Sequence, residues 1–292
     1  MLKIENLNKN FQTFQLKNIN MCIPNGYICG LIGENGAGKS SLIKTIIDMY
    51  RKDSGSVFVN GMEFDENEAE IKDILGLVAD WLPFDESLSP LATAKTYGGL
   101  YSRFDMNLFL EYLDRFRVPK DKKIKKLSRG MKTKFQLALA LSHGAELFMF
   151  DEPTAGFDTD FRTEFLNICM DIISDGRKTI LFSTHLTKDL DKAADYIAFM
   201  QNGELLFTES KEKLLDRFIY VQAENYKLKL IPKAAVVYAS EGAYGGNALV
   251  VNSRRVALDG AYEKRRPTVG ELMYGFVKGG QKHAEDIVKE YM

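Results

Sequence analysis

One glycine-rich segment constrains the fold of this chain more than any other feature of its sequence. Its residues are Gly33, Glu34, Asn35, Gly36, Ala37, Gly38, Lys39 and Ser40. The segment follows an apolar, strand-like run at 27–32 and precedes a helix-like run at 41–47. Glycines let the backbone wrap round a phosphate, so that successive N–H groups and the next helix N-terminus can bind its oxygens. The sequence therefore predicts a phosphate-binding loop (P-loop) between a strand and a helix.

The residue types at the end of this loop indicate what it binds. Lys39 would neutralise the β- and γ-phosphates of a nucleotide, and Ser40 would ligate Mg²⁺. Ser41 opens the helix and completes the predicted nucleotide-binding segment, 33–41. The alternative, a glycine-rich turn before a chance lysine, leaves the complete eight-residue pattern unexplained.

The pattern of apolar runs predicts an α/β fold with a parallel central sheet. Unbroken apolar runs at 146–150 and 179–183 are typical of parallel strands that are buried on both faces. A helix-like segment at 161–174 separates them, and strand–helix alternation round a P-loop is typical of a parallel core.

Other segments predict additions to this core. Residues 1–26 alternate short apolar and polar patches, as in an antiparallel β subdomain. Residues 83–117 have a helical period. We expect a nucleotide-binding domain at 1–218, with a helical subdomain at about 83–140, and a small α+β accessory module at 219–292. Helical stretches near 268–277 and 281–291 end this module.

The charge balance and hydropathy restrict the partners. The chain of 292 residues carries 39 Lys and Arg against 40 Asp and Glu, so no overall field favours nucleic acid, and we expect no nucleic-acid partner. The longest uncharged run, 18–33, is too short and too polar to span a bilayer. Lys3 and Glu5 interrupt the N-terminus before a signal peptide could form. These features predict a protein that stays in the cytoplasm.

A carboxylate pair follows the apolar run at 147–150. Asp151 ends this predicted strand at the same sheet edge as the P-loop, where it can hold the hydration shell of Mg²⁺. Glu152, one residue further, can polarise a water molecule for attack on the γ-phosphate. The alternative is an acidic strand end in solvent.

A second phosphate-binding device precedes the next helix-like run. In the segment 127–131, of sequence Leu-Ser-Arg-Gly-Met, Ser128 is placed as an N-cap beside free backbone N–H groups, which attract anions. One subunit needs only one such device for a single ATP. Here the chain resembles the ATP-binding cassette (ABC) family, in which this motif covers the γ-phosphate held by the opposite subunit. The resemblance implies that Ser128 and Gly130 contact that ATP in trans.

The order of motifs over residues 1–215 strengthens this resemblance. The P-loop, the motif at 127–131 (the signature motif) and the Asp-Glu pair are followed by a segment ending at Asp158 and by His185. Similarity implies that Asp158 contacts the facing subunit and that His185 senses the γ-phosphate. It also implies that Phe11 stacks on adenine. Phe14 is close by, and an ordinary core phenylalanine is the alternative for Phe11.

Two positions depart from the family pattern. Arg129 replaces the first glycine of the signature. Asp80 stands where the family usually has a Gln that touches Mg²⁺, so it would be a third carboxylate near Asp151 and Glu152. The resemblance therefore implies Asp80 as a further metal ligand, besides Ser40 and Asp151.

The resemblance implies an ATP-hydrolysing subunit of an exporter, with ATP and Mg²⁺ as cofactors. The chain is similar to ATPase subunits of ABC-2-type exporters of Gram-positive bacteria, including those for antimicrobial or amphipathic peptides and phenol-soluble modulins. Two ATPase subunits, identical or paralogous, would sandwich two ATP molecules at the cytoplasmic face of the membrane. They would drive a separate transmembrane permease, and the exported substrate would not contact this chain.

Three further interpretations remain open. The apolar cluster at 81–84 either lines the groove that receives a membrane-subunit helix or packs inside the helical insertion. A soluble mechanical ATPase of the same superfamily is a rival function. A regulatory nucleotide switch is another, and its basic contacts would be Arg254, Arg255, Lys264, Arg265 and Arg266.

Overall fold

The computed structural model describes residues 1–252, 262–280 and 286–287. In chain order the strands are β1 (Leu2–Asn10), β2 (Gln15–Ile23), β3 (Ile28–Ile32), β4 (Ser54–Val59), β5 (Met62–Glu63), β6 (Leu75–Val78), β7 (Leu147–Asp151), β8 (Thr179–Ser183), β9 (Tyr196–Gln201), β10 (Glu204–Ser210), β11 (Phe218–Ala223), β12 (Val236–Gly242), β13 (Gly245–Val251) and β14 (Glu263–Arg265). The α-helices are α1 (Lys39–Ile46), α2 (Glu68–Asp73), α3 (Pro90–Tyr97), α4 (Met106–Arg115), α5 (Arg129–Leu141), α6 (Thr159–Ile173), α7 (Thr187–Ala193), α8 (Lys211–Arg217), α9 (Asn225–Leu228) and α10 (Val269–Gly279). Short 3₁₀ turns lie at Gly98–Leu100, Ile124–Lys126 and Lys233–Ala235.

The central sheet has the strand order β10-β9-β3-β8-β7-β6. Neighbouring strands are parallel, except that β10 runs antiparallel to β9 at one edge. Every residue of β3, β7 and β8 is buried, because both faces of these strands are covered. The predicted α/β fold with a parallel core is confirmed.

Successive residues of β7 pack into two different cores, as the two-residue period of a strand requires. Phe148 and Phe150 face the core that includes α5 and α6. Leu147 and Met149 face the core that includes α1 and the N-terminal strands. The parallel sheet is therefore the middle layer, and each face is closed by a different part of the chain.

The N-terminal strands form an antiparallel sheet with the order β2-β1-β4-β5. In β2, Leu16, Ile19, Met21 and Ile23 are buried while their neighbours are exposed, which leaves one face of the sheet in the core. Leu42 of α1 packs in the same core. This arrangement holds the P-loop helix between the two sheets.

Helices α3, α4 and α5 follow one another between β6 and β7; α3 and α4 lie within 83–117, where the sequence has a helical period, and α5 follows it. Each begins with a side-chain cap: Ser89 for α3, Asp105 for α4 and Ser128 for α5. The oxygen of Ser128 accepts a hydrogen bond from the N–H of Met131, as its predicted N-cap position requires.

The C-terminal part forms a third, antiparallel sheet with the order β12-β13-β11-β14. Helix α10 begins with a capping box made by Thr268 and Glu271. The ring of Phe276 in α10 packs 5.6 Å from that of Phe199 in the central sheet and 5.5 Å from that of Phe218. The C-terminal helix thus shares the core of the nucleotide-binding part.

Some sequence-based expectations fall on residues that the structure does not describe. Arg254 and Arg255 lie outside the described residues, and so does the predicted helix at 281–291 except for 286–287. Among the helices of the described ranges, none combines the length and the apolar character that crossing a membrane demands.

Candidate nucleotide-binding site

The sheet topology brings the sequence motifs to one edge. Strand β8 pairs with β3 on one side and with β7 on the other, all in parallel, so their carboxyl ends lie side by side. The P-loop follows β3, Asp151 ends β7, and His185 lies just beyond β8.

A cavity of 440 Å³ opens at this edge and has the size of a small-molecule site. The residues that line it come from the P-loop, the strand ends, the β1–β2 turn and the start of α5. They are Phe14, Asn35, Gly36, Gly38, Lys39, Ser40, Ser41, Arg129, Glu152, Ala155 and His185.

The P-loop requires glycine at two of its positions. Gly38, which caps α1, has φ +106°, and a Cβ there would lie 2.5 Å from the ring of Phe14. A Cβ on Gly33 would lie 2.3 Å from the carbonyl oxygen of Met200. The loop can follow this path only because both side chains are absent.

Lys39 projects from the first turn of α1 and is buried. Its Nζ donates hydrogen bonds to the carbonyl oxygens of Gly33, at 2.9 Å, and Glu34, at 3.2 Å. Burial lowers the pKa of Lys39, while the carboxylates of Glu152 and Asp151 act in the opposite direction. Lys39 is thus a fixed cation close to two acidic groups.

Asp151 is buried at the end of β7, and its Oδ1 accepts a hydrogen bond from the hydroxyl of Ser183 at 2.5 Å. Its Oδ2 is buried without a hydrogen-bond partner among the described residues. A buried carboxylate oxygen with no partner is costly unless a cation or water joins it. With the hydroxyl of Ser40 in the adjoining cavity, this donor set consists of oxygens and fits Mg²⁺.

Glu152 adopts a left-handed backbone with φ +49°, which is uncommon for a residue with a side chain. Its N–H donates to both the carbonyl and the hydroxyl oxygens of Ser183, each at 3.1 Å. Its Oε2 lies 2.7 Å from Nδ1 of His185. The structure therefore brings the two predicted catalytic residues into direct contact.

Three of the candidate residues belong to the loop without lining the cavity. The carbonyl oxygens of Gly33 and Glu34 bind Lys39, and the N–H of Ala37 donates to the carbonyl of Glu34. They shape the loop that presents the lining residues.

Two other candidate residues lie outside the cavity. Phe11 packs with its ring 5.4 Å from that of Tyr50 and 6.0 Å from that of Phe14, and Phe14 is the aromatic residue that lines the cavity. Asp80 is exposed beyond the end of β6 and is not a lining residue.

Ser128, Gly130 and Asp158 also lie outside the cavity of their own subunit. Ser128 and Asp158 are exposed. The carboxylate of Asp158 caps α6 by accepting from the N–H of Phe161 at 2.8 Å, and this bond lowers the pKa of Asp158. This capping role of Asp158 was not among the roles expected from the sequence.

Gln136 is a further residue that the sequence analysis missed. Its buried side-chain amide donates to the carbonyl oxygen of Ala79 at 2.7 Å and accepts from the N–H of Ala79 at 3.2 Å. Ala79 directly precedes Asp80. Helix α5, which begins at the signature motif, is thus fixed to the end of β6.

A P-loop at the edge of a parallel sheet, with Asp151 and Glu152 beside it, defines a P-loop nucleoside triphosphatase. Comparison with known proteins identifies the branch. A family model described as ABC transporter matches residues 16–155. The lantibiotic transport ATP-binding protein SrtF of Streptococcus pyogenes is 32% identical over 209 residues, which cover 70% of this chain and 89% of that protein. The chain belongs to the ABC transporter family, as an ATP-binding subunit with ATPase activity.

Two further relatives are ATP-binding proteins of ABC transporters or of antibiotic resistance, and a solved structure matches the fold. The linearmycin resistance ATP-binding protein LnrL of Bacillus subtilis is 31% identical over 228 residues, or 74% of this chain and 71% of that protein. The ABC transporter ATP-binding protein YtrB of the same species is 26% identical over 223 residues, or 76% of each chain. The fold matches the dimeric structure of MJ0796, a bacterial ABC transporter cassette, with a TM-score of 0.64 over 72% of this chain and 98% of that chain, at 21% identity.

Proposed function

We propose that this chain hydrolyses ATP at the seam of a head-to-tail dimer and so drives an exporter of the ABC-2 type through a separate transmembrane subunit. The observation that carries the proposal is the single cavity lined by Lys39, Ser40, Glu152 and His185, with Asp151 beside it. Cation, metal ligands and general base are the parts that phosphoryl transfer needs.

In this site the P-loop N–H groups and Lys39 hold the phosphates. Mg²⁺, held by Ser40 and Asp151, would supply positive charge to the phosphate oxygens. Glu152 accepts a proton from the water molecule that attacks the γ-phosphorus, and the bond to the bridging oxygen of ADP breaks. His185 orients the carboxylate of Glu152 through the 2.7 Å contact. Asp80 does not line the cavity in this structure. We propose that it contacts the metal only in a conformation in which its side chain turns toward the cavity.

The dimer is supported by the positions of three residues. Ser128, Gly130 and Asp158 do not line the cavity of their own subunit, so they are available to a nucleotide or surface on a facing subunit. The N-terminus of α5 presents free N–H groups there, which suit a phosphate. ATP-binding subunits of this family dimerise and pair with transmembrane subunits.

An apolar groove supports a membrane partner. It has a volume of 550 Å³ and is lined partly by Trp81, Pro83 and Phe84 of the apolar cluster. Leu82 and Phe84 also pack against the core that includes α5, and Trp81 packs against the core that includes α1. Leu100 borders the groove and is 76% exposed, so it extends the apolar surface of the groove. We propose that a helix of the transmembrane subunit occupies this groove.

The relatives' names support the exporter type. One is a lantibiotic transport protein and another a linearmycin resistance protein, so amphipathic antimicrobial compounds are the proposed class of cargo. The cargo would contact the permease alone. We place the chain at the cytoplasmic face of the membrane, with residues 1–218 as the cassette and 219–292 as its accessory module.

The experiment that tests this function is co-purification with a candidate transmembrane subunit, a six-helix membrane protein sought in the adjacent reading frames. Trp81→Ala should reduce co-purification and uncouple ATP hydrolysis from transport in proteoliposomes. Tyr244→Ala, at an exposed aromatic residue of the C-terminal hairpin, is the matched control and should change neither. Full co-purification and normal coupling of Trp81→Ala would reject the groove as the docking site.

A further inference from the structure

Among the described residues that line the nucleotide cavity, Arg129 is a cationic side chain that belongs neither to the P-loop nor to the Asp-Glu pair. It is the first residue of α5 and directly follows Ser128. The family motif has glycine there, so the resemblance assigns no role to this side chain. The structure places it in the cavity of its own subunit.

The neighbours of Arg129 fix its position along the cavity. Its Cδ lies 3.8 Å from a Cβ built on Gly156, and Ala155, the preceding residue, lines the cavity. Arg129 therefore lies beside the segment 155–156 and lines the same cavity as Glu152 and His185. Glu152 is the proposed base for attack on the terminal phosphate, so we expect the γ-phosphate in the part of the cavity that Glu152 lines.

The guanidinium of Arg129 is uncommitted. Within the ranges that the structure describes, it makes no hydrogen bond or ion pair, whereas other cations of α5 are engaged. Lys132 pairs with Glu86 at 2.6 Å, and Lys134 lies 3.8 Å over the ring of Phe161. A planar guanidinium can bind two phosphate oxygens at once, and such charge-assisted pairs are among the stronger hydrogen bonds.

We propose that Arg129 binds the γ-phosphate of the ATP held by the P-loop of its own subunit. Arg129 thereby distinguishes ATP from ADP before a facing subunit closes over the nucleotide. This role differs from the trans contact of Ser128 and Gly130, because it needs only one subunit. The inference rests on the proposed ATP site.

The test is nucleotide binding by the single subunit. All chains carry Glu152→Gln to prevent turnover and are kept at a concentration where sedimentation shows monomers. Titration with ATP and ADP should show that Arg129→Ala raises the dissociation constant for ATP about tenfold, as expected for one lost charge-assisted contact. The constant for ADP should change by less than about twofold, since ADP lacks the phosphate in question.

Further variants make the result specific. Arg129→Lys should retain part of the preference for ATP, since it keeps the charge but loses the paired donors. Arg177→Ala removes an exposed arginine before β8, at the opposite edge of the sheet, and should leave both constants unchanged. Arg129→Gln serves in place of Arg129→Ala if the latter does not give a folded, monomeric chain.

Two results would overturn the inference. In the first, Arg129→Ala binds ATP as tightly as the parent chain, which would show that Arg129 does not contact the γ-phosphate in its own subunit. In the second, Arg129→Ala weakens the binding of ATP and the binding of ADP by the same factor. Lys39→Ala separates these failures from failure of the site itself: if it too left ATP binding unchanged, the proposed ATP site would be wrong.

Discussion

The Nδ1 atom of His185 lies 2.7 Å from Oε2 of Glu152, although the two residues follow different strands. The contact forms because β7 and β8 are parallel neighbours whose ends coincide, with Asp151 opposite Ser183. The left-handed backbone of Glu152 turns its side chain away from the strand direction and toward the cavity. A histidine that donates to this carboxylate can hold it in position as a general base.

Glu152→Gln should retain ATP binding and lower the rate of hydrolysis by about 10² or more, the usual contribution of a general base. The amide preserves the size of the side chain but cannot take up a proton at neutral pH. The measurement is phosphate release under saturating ATP, next to a binding titration. Turnover equal to that of the parent chain would reject Glu152 as the base.

Lys39→Ala should weaken the binding of ATP and of ADP by about tenfold or more, because a buried ammonium that contacts phosphates is lost. The matched control is Lys44→Ala, at a half-buried lysine of the same helix that does not line the cavity. Calorimetric titration measures both. An unchanged affinity of Lys39→Ala would contradict the assignment of the P-loop.

Gln136→Leu should destabilise the fold by about 1–3 kcal/mol for each backbone group of Ala79 that loses its partner. Both groups belong to a residue that is 3% exposed, so water cannot replace the amide. Denaturant unfolding measures the loss. Gln12→Leu, at an exposed position in the β1–β2 turn, should cost little, and equal effects of the two changes would show that the Gln136 bonds carry no stability.

His143 predicts a pH dependence of stability. Burial lowers the pKa of His143 and outweighs two carbonyl oxygens that favour the protonated ring, that of Leu139 at 2.9 Å from Nδ1 and that of Leu75 at 3.1 Å from Nε2. The nearest charged groups, Asp73 and Arg103, act in opposite directions. In the unfolded chain the imidazole takes up a proton near its ordinary pKa of about 6.5.

Because the folded chain resists this protonation, the stability contributed by neutral His143 is complete above about pH 6.5 and is lost as the pH falls toward the lowered pKa. The slope is at most about 1.4 kcal/mol per pH unit. Thermal melts between pH 5 and 7.5 measure it. His143→Gln should flatten the dependence, and an identical slope in this variant would assign the effect to other groups.

The sequence predicts those parts of the fold and site that depend on local patterns. The P-loop, the pair Asp151 and Glu152 and the N-cap at Ser128 are each set by residues adjacent in the chain. The α/β core also follows, since unbroken apolar runs indicate strands buried on both faces.

Long-range contacts could not be predicted in this way. Ser183 meets Asp151 only because of the parallel register of two strands, and Gln136 meets Ala79 only after α5 packs on β6. The choice between Phe11 and Phe14 depends on the β1–β2 turn, in which the N–H of Phe11 donates to the carbonyl of Phe14. No periodicity in the sequence carries this information.

The association of the Glu152→Gln chain with ATP is the most direct test of the central claim, that ATP is bound between two ATPase subunits. Sedimentation in the presence of ATP and Mg²⁺, with the transmembrane subunit in detergent as a second condition, should show two ATPase chains per complex. A chain that carries Lys39→Ala together with Glu152→Gln should sediment as monomers under the same conditions. Monomers of the Glu152→Gln chain in both conditions would contradict the account.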